Sequence, residues 1–249
     1  MCTVTYIPQK KGDGFILTSN RDELPSRNAG IPDVQIINGI KMFYPKEPVA
    51  GGTWIAMSET GRVCCLLNGA LVPHNMNKKY GRSRGEIILD IMATRQEPVG
   101  FLRHLFLDNI QPFTLLIIDA DDDKINCFLE FIWDGKKKMF RHLNPLKPHI
   151  RSSVTLYNEE VCDERRLWFG EFLRNHPGEI KSDDILHFHR SKHTDNETNN
   201  IVMKRDNGVQ TISITQIFYE KGDILMKYND LISANVPEEI IKMELCIPE

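Results

Sequence analysis

Two short apolar runs, Cys2-Thr3-Val4-Thr5-Tyr6-Ile7 and Phe15-Ile16-Leu17-Thr18-Ser19, flank the cluster Lys10-Lys11-Gly12-Asp13-Gly14. β-Branched and aromatic side chains favour extended backbone, and the cluster between them is turn chemistry. Residues 2–7 and 15–19 are therefore predicted to form an antiparallel hairpin. A turn centred between residues 11 and 13 pairs residues whose numbers sum to about 22–26. That arithmetic carries the polar run Asn20-Arg21-Asp22-Glu23 to the start of the first strand, beside Cys2.

A second hairpin is expected from Thr53–Met57 and Arg62–Leu67 around Ser58-Glu59-Thr60-Gly61. It puts Asn68 at its open end near Gly51-Gly52, where missing side chains let another backbone or a ligand approach. Residues 82–95 space Ile87, Ile88, Ile91 and Met92 as one helical face, and a short helix is expected at 98–108. A three-strand meander follows at 113–119, 125–133 and 139–143, turning at Ala120–Lys124 and Asp134-Gly135. A strand at 152–157 should lead into a helix at 159–174 with Leu167, Trp168 and Phe172 or Leu173 on one face. A helix at 182–190, a mobile polar loop at 191–200, strands at 210–218 and 223–228, and a last helix opening at Pro237-Glu238-Glu239 complete the reading. Strands joined by hairpins make antiparallel sheets, and two helical segments lie between strand groups. The expectation is one layered α+β domain over residues 1–249.

Composition excludes several functions. Of 249 residues, 26% are charged and the net charge is −3, so no basic surface for nucleic acid is expected. Lys136-Lys137-Lys138 reads as a solvated turn. No apolar run approaches the roughly 20 residues of a membrane span, and no secretory leader is expected. Six cysteines without a CxxC pair fit a reducing cytoplasm. His187, His189 and His193 lack an acidic or cysteine partner, and Asp121-Asp122-Asp123 lacks the spacing of a calcium loop. No metal and no cofactor is expected. Cys64-Cys65 would straddle two strand faces as small hydrophobes, and Trp54 and Tyr80 are candidates for a pocket lining or the core.

Cysteine at position 2 opens a specific chemistry. If Met1 is removed, one residue carries a thiol and a free α-amine, with reference pKa values of about 8.5 and about 7.7–8.0. The amine can take the thiol proton near neutral pH, the logic of an N-terminal nucleophile. Arg21 can lower the thiol pKa, Asp22 can hold the amine, and an asparagine can supply an oxyanion donor.

The start MCTV, the strand FILTSNRDE and the stretch GGTWIAMSETGRVCCLLN resemble the NRDE family, whose eukaryotic relatives are the transport and Golgi organisation protein 2 family. The likeness is strong over residues 1–85. It implies a branch of the N-terminal nucleophile hydrolases, a four-layer αββα sandwich, related to penicillin V acylases and bile salt hydrolases. On that resemblance Cys2 matches the nucleophile, Asp22 the aspartate after the second strand, and Asn68 the oxyanion asparagine. Asn158 in Leu156-Tyr157-Asn158 is the candidate second asparagine. The hydrolases read Arg-Asn-x-Asp where this chain reads Ser19-Asn20-Arg21-Asp22, so Arg21 stands two positions later. Their late arginine has no match around Thr211-Ile212. Asn20, Trp54, Gly69 and Tyr80 are expected at the substrate. The implied activity is hydrolysis of a linear amide in a small acylated amine. A binding protein for haem, lipid or acyl-CoA is the alternative, and an acyltransferase a third reading.

Overall fold

Turn chemistry sets much of the pairing in this computed structural model, which describes residues 3–9, 14–72, 80–121, 124–220, 223–233 and 239–246. β1 (Thr3–Pro8) and β2 (Gly14–Glu23) pair with Thr3 opposite Asn20 and Pro8 opposite Phe15. The paired numbers sum to 23, inside the range the hairpin arithmetic requires. Cys2, the turn residues 10–13, Asp122-Asp123 and Pro237-Glu238 lie outside the described residues. β3 (Asp33–Ile37) and β4 (Ile40–Tyr44) form a hairpin missing from the sequence reading. Its turn, Asn38-Gly39, has φ of 52° and 76°, the conformation that matches strand twist in a two-residue turn. β5 (Ile55–Ser58) and β6 (Arg62–Asn68) are the second expected hairpin, with Ile55 opposite Cys65.

With β7 (Phe113–Ala120), β8 (Ile125–Trp133) and β9 (Lys138–His142), strands β3 to β9 form a seven-stranded antiparallel sheet in chain order. The other sheet has six strands. It runs β10 (His149–Ser152), β1, β2, β11 (Gln210–Glu220), β12 (Asp223–Asp230), β13 (Glu239–Glu244). The sheets face each other across a core built from Val4, Tyr6, Phe15 and Leu17 on one side and Ile55, Met57, Val63 and Cys65 on the other. α1 (Arg84–Met92) and α2 (Pro98–His104) cover the outer face of the seven-stranded sheet. α3 (Glu159–Asn175) and α4 (Ser182–Arg190) cover the outer face of the six-stranded one. The result is the four-layer α+β sandwich, helix–sheet–sheet–helix. Cys64 packs under α1 and Cys65 between the sheets, as alternation along β6 requires. No helix among the described residues is long and apolar enough to cross a membrane.

Four local expectations are corrected. The strand expected at 152–157 is β10, ending at Ser152, and the chain then turns with Leu156 and Tyr157 N–H both donating to the Ser153 carbonyl. The expected last helix is β13. Ile241 and Met243 pack on the inter-sheet core while Ile240 and Lys242 are exposed, a period of two rather than 3.6. The open edge of β12 supplies the partners. On α3 the buried face is Val161, Cys162, Arg165, Phe169 and Phe172, and Leu167 is exposed. The loop 191–200 is pinned from within: Asn200 is fully buried, accepts from the His193 and Thr194 N–H groups at 2.6 and 3.1 Å, and donates to the Thr194 carbonyl at 2.8 Å.

Candidate active site

Strand alternation divides the run Asn20-Arg21-Asp22-Glu23 between two faces of β2. Arg21 points between the sheets, with its guanidinium 4.1 Å from the centre of the Trp54 ring. Its Nη1 donates to the Arg27 carbonyl at 2.7 Å, and its Nη2 lies 3.9 Å from Glu47 Oε1. Burial lowers its pKa, opposed by Glu23, Tyr228 and Glu47. Arg21, Trp54, Asn68 and Arg84 line one cavity of about 90 Å³ together with Glu23 and Glu47. Gly52 and Gly85 border it and explain how α1 comes so close. A Cβ on Gly52 would sit 2.6 Å from the Gly85 carbonyl carbon, and one on Gly85 2.7 Å from the Thr53 oxygen.

Asn68 ends β6 at this cavity. Its main-chain carbonyl accepts from Ser153 Oγ at 2.7 Å and Thr155 Oγ1 at 3.3 Å. Its half-buried side-chain amide bonds none of the described residues, so the backbone is fixed while the amide remains available. Gly69 follows with φ of +87°, and a Cβ there would lie 2.6 Å from Val154 Cγ2. Its part in the site is to let the strand pass that wall.

Asp22 is on the opposite face, 2% exposed. It accepts from Tyr157 Oη and Thr211 Oγ1, each at 2.6 Å. Tyr157 lies 3.6 Å beneath the guanidinium of Arg165, and Arg165 donates to Thr3 Oγ1 and to the carbonyls of Asn199 and Asn200. Arg165 is fully buried. A contiguous line of polar groups thus runs from Asp22 through Tyr157 and Arg165 to Thr3, the residue bonded to Cys2. Sequence reading missed Tyr157 and Arg165. The available signal was a cation at an apolar-face position of α3, four residues after Val161 and four before Phe169. Arg205 also lies over Tyr157, at 5.4 Å.

Asn20 is fully buried beneath α4. It donates to the His189 and Ile201 carbonyls at 3.1 and 2.9 Å and accepts from His189 Nδ1 at 2.6 Å. That leaves His189 Nε2 to accept from Thr5 Oγ1 at 2.7 Å, a neutral imidazole whose pKa burial lowers to about 3. The geometry places Asn20 in the packing of α4 on β2 rather than on the Arg21 cavity. Asn158 caps α3, its Oδ1 accepting from Val161 N–H at 3.0 Å. It lines a second cavity of about 590 Å³ with Leu67, Leu71, Val72, Ile132 and Val154. Tyr80 is half-buried and within electrostatic reach of Arg84. So the structure brings Arg21, Trp54 and Asn68 together and keeps Asp22, Asn20 and Asn158 elsewhere.

Cys64, Cys65 and Cys127 are poor nucleophiles. Burial drives the Cys64 thiol pKa sharply up, that of Cys65 to about 12 and that of Cys127 to about 11. Among the described residues no three His, Cys, Asp or Glu side chains converge as a metal site.

The profile of the family described as Transport and Golgi organisation 2 matches residues 1–223. The Transport and Golgi organization protein 2 homologs of Homo sapiens and Bos taurus are 29% and 28% identical over 117 residues, 44% of this chain and 40% of each relative. The chain thus aligns with two fifths of the length of these curated relatives. The fold is similar to that of a C2A mutant of conjugated bile acid hydrolase from Clostridium perfringens (TM-score 0.60, 13% identity, 98% of this chain and 92% of that one). It is also similar to the Caenorhabditis elegans ortholog of N-acylethanolamine-hydrolyzing acid amidase (TM-score 0.58, 12% identity, 87% and 92%). A penicillin V acylase from Agrobacterium tumefaciens gives a TM-score of 0.53 at 12% identity, over 98% and 86%.

Proposed function

The chain belongs to the Transport and Golgi organisation 2 family, and from that premise we propose that residues 1–249 form one N-terminal-cysteine amidohydrolase unit cleaving the linear amide bond of a small acylated amine. The observation that carries the reading is the available amide of Asn68 beside Arg21, at the level of the strand end where Thr3 follows Cys2. A terminal cysteine has two groups to place, a side-chain thiol and a main-chain amine. The split of Arg21 and Asp22 between two faces of β2 suits that division. Arg21 supports the thiolate, and Asp22 acts on the amine side through the line that ends at Thr3.

In this mechanism the Cys2 amine takes the thiol proton and the thiolate attacks the amide carbon. Asn68 Nδ2 donates to the oxyanion; Asn158, expected as the second donor, caps α3 on the other cavity and is left out of this step. The C–N bond breaks as the ammonium returns its proton to the departing amine. Water then attacks the thioester, with the Cys2 amine as base, and releases a carboxylic acid. A thiol nucleophile stays reduced in a cytoplasmic setting, the compartment this reading carries.

A second reading rests on the 590 Å³ cavity, a volume typical of small-molecule sites. On it the chain carries a lipid, acyl-CoA or haem and turns nothing over. A panel of acylated amines, read by mass spectrometry against the Cys2→Ala variant, decides between them. Product that disappears with Cys2→Ala supports the hydrolase, and bound ligand without product supports the carrier. Intact mass belongs to the same experiment, because a retained Met1 blocks the amine.

A further inference from the structure

Three guanidinium groups and two carboxylates line the small cavity, leaving one net positive charge. The accounting is uneven. Arg27 pairs with Glu23 at 2.9 Å and with Glu47 at 3.0 Å. Arg21 has Glu47, the Arg27 carbonyl and the face of Trp54. Arg84 has none of these. Its one hydrogen bond is a long contact from Nη1 to the Pro112 carbonyl at 3.4 Å, and no carboxylate of the described residues lies within 4 Å. Beside it Trp54, 4% exposed, buries its indole N–H without an acceptor among the described residues. The cavity thus holds a cation with no carboxylate in contact, only Glu23 acting on it from beyond 4 Å, and a donor with no acceptor. An unmet buried donor carries the full cost of losing its water. A ligand that accepts from both would complete them.

We propose that Arg84 is a specificity-determining residue that receives a carboxylate on the substrate, so that the amine half of the cleaved amide is an amino acid. The inference rests on the hydrolase reading for the word substrate, and on the cavity alone for the word carboxylate. Size and the unpaired Arg84 assign the halves. The 90 Å³ cavity beside Asn68 has room for a carboxylate and the few atoms that join it to an amide nitrogen. The 590 Å³ cavity has the volume for an acyl chain, which Leu67, Leu71, Val72, Ile132 and Val154 would meet on its apolar side, while its arginines Arg141 and Arg151 are already paired with Glu130. Burial first, and Arg27 second, lower the Arg84 pKa to about 10, which still leaves the guanidinium charged at neutral pH. A carboxylate would relieve the burial and offset the repulsion from Arg27. Guanidinium and carboxylate match in a two-point contact that a neutral hydroxyl cannot make.

The test separates binding from turnover. Titrate N-decanoylglycine and the neutral N-decanoylethanolamine into the Cys2→Ala chain by calorimetry, with Arg84 intact, as Arg84→Gln, and as Arg84→Lys. Tighter binding of the acid by tenfold or more is expected with Arg84. Arg84→Gln should weaken the acid at least tenfold more than the neutral amide, and Arg84→Lys should recover part of the difference. Raising salt should reduce the preference. Equal affinity for the two ligands, equal loss of both in Arg84→Gln, or no binding of either overturns the proposal. A normal unfolding midpoint for Arg84→Gln excludes a folding defect as the cause. If the acid binds through Arg84 yet intact chain releases no glycine, the anchor stands and the hydrolase reading falls.

Discussion

At the scale of single residues, the sequence motif and its geometry part company within one strand. Four adjacent polar letters read as one cluster, but a period of two puts Arg21 and Asp22 on opposite faces, so one pocket cannot hold both side chains. The sequence contained that period. What it did not contain was the identity of the groups each face meets, since Trp54, Tyr157 and Arg165 arrive from distant elements. The roles of the two residues are therefore separable. If the site is catalytic, Asn68→Ala should lower the rate by roughly 10²–10³, the usual loss of one oxyanion donor, with KM changing less than kcat. Iodoacetamide at pH 7 should label Cys2 faster than exposed Cys246, because Arg21 favours the thiolate. Equal labelling would count against activation. His189 gives a pH prediction with a fixed sign. Its folded pKa, about 3, is below the unfolded value near 6.5, so the unfolded chain binds a proton that the folded chain refuses. Its contribution is complete above about pH 6.5 and is lost as pH falls toward 3. Urea midpoints should decline over that window, and His189→Gln should flatten the decline.

At the scale of elements, local patterns were legible wherever one face of one element decides the outcome. The first two hairpins, the meander and the isoleucine face of α1 follow from turns and periodicity. Asn38-Gly39 is an equally readable local signal for the β3–β4 hairpin. β13 was not readable in this way. Pro237-Glu238-Glu239 is a good helix start, and only the open edge of β12 makes a strand the better outcome, which is tertiary information. Arg62 is a similar case. It looks like a turn residue at the start of β6, yet it is 4% exposed and joins two elements. Its Nε and Nη2 each lie 2.7 Å from Asp119, and it donates to the carbonyls of Ile91 in the last turn of α1 and of Thr94 and Gln96 just after it. The Ile91 carbonyl belongs to the last turn of α1, where no intrahelical N–H is left to satisfy it, and those of Thr94 and Gln96 to the segment that follows. Arg62→Met should leave them and Asp119 unpaired and cost about 3–5 kcal/mol. Urea denaturation reads the loss. Hydrogen exchange should place it in α1 first, and uniform exchange across both sheets would argue that Arg62 does not hold the helix.

At the scale of the whole molecule, the candidate site is assembled across the gap between the sheets. Thr3 and Arg21 stand on the six-stranded sheet, and Asn68 ends a strand of the seven-stranded sheet, with Trp54 just ahead of β5. On the hydrolase reading, the spacing of Thr3 and Arg21 from Asn68 is set by the side chains that space the sheets, Leu17 among them. Catalytic rates fall steeply with misplacement of about 1 Å. Ile88 is also fully buried, but it packs α1 against the outer face and spaces nothing in the cavity. Leu17→Ala and Ile88→Ala should each cost about 2–5 kcal/mol of stability. Their effects on function should differ. Below the unfolding transition, where both variants are fully folded, Leu17→Ala should lose tenfold or more of the Cys2-dependent rate while Ile88→Ala stays within about twofold. Acid binding to the Cys2→Ala chain should weaken in parallel for Leu17→Ala, because Trp54 and Arg21 line the anchor cavity from opposite sheets. Equal rate losses at matched stability would mean that the spacing of the sheets does not set the site, and that its residues are positioned by their own strands alone.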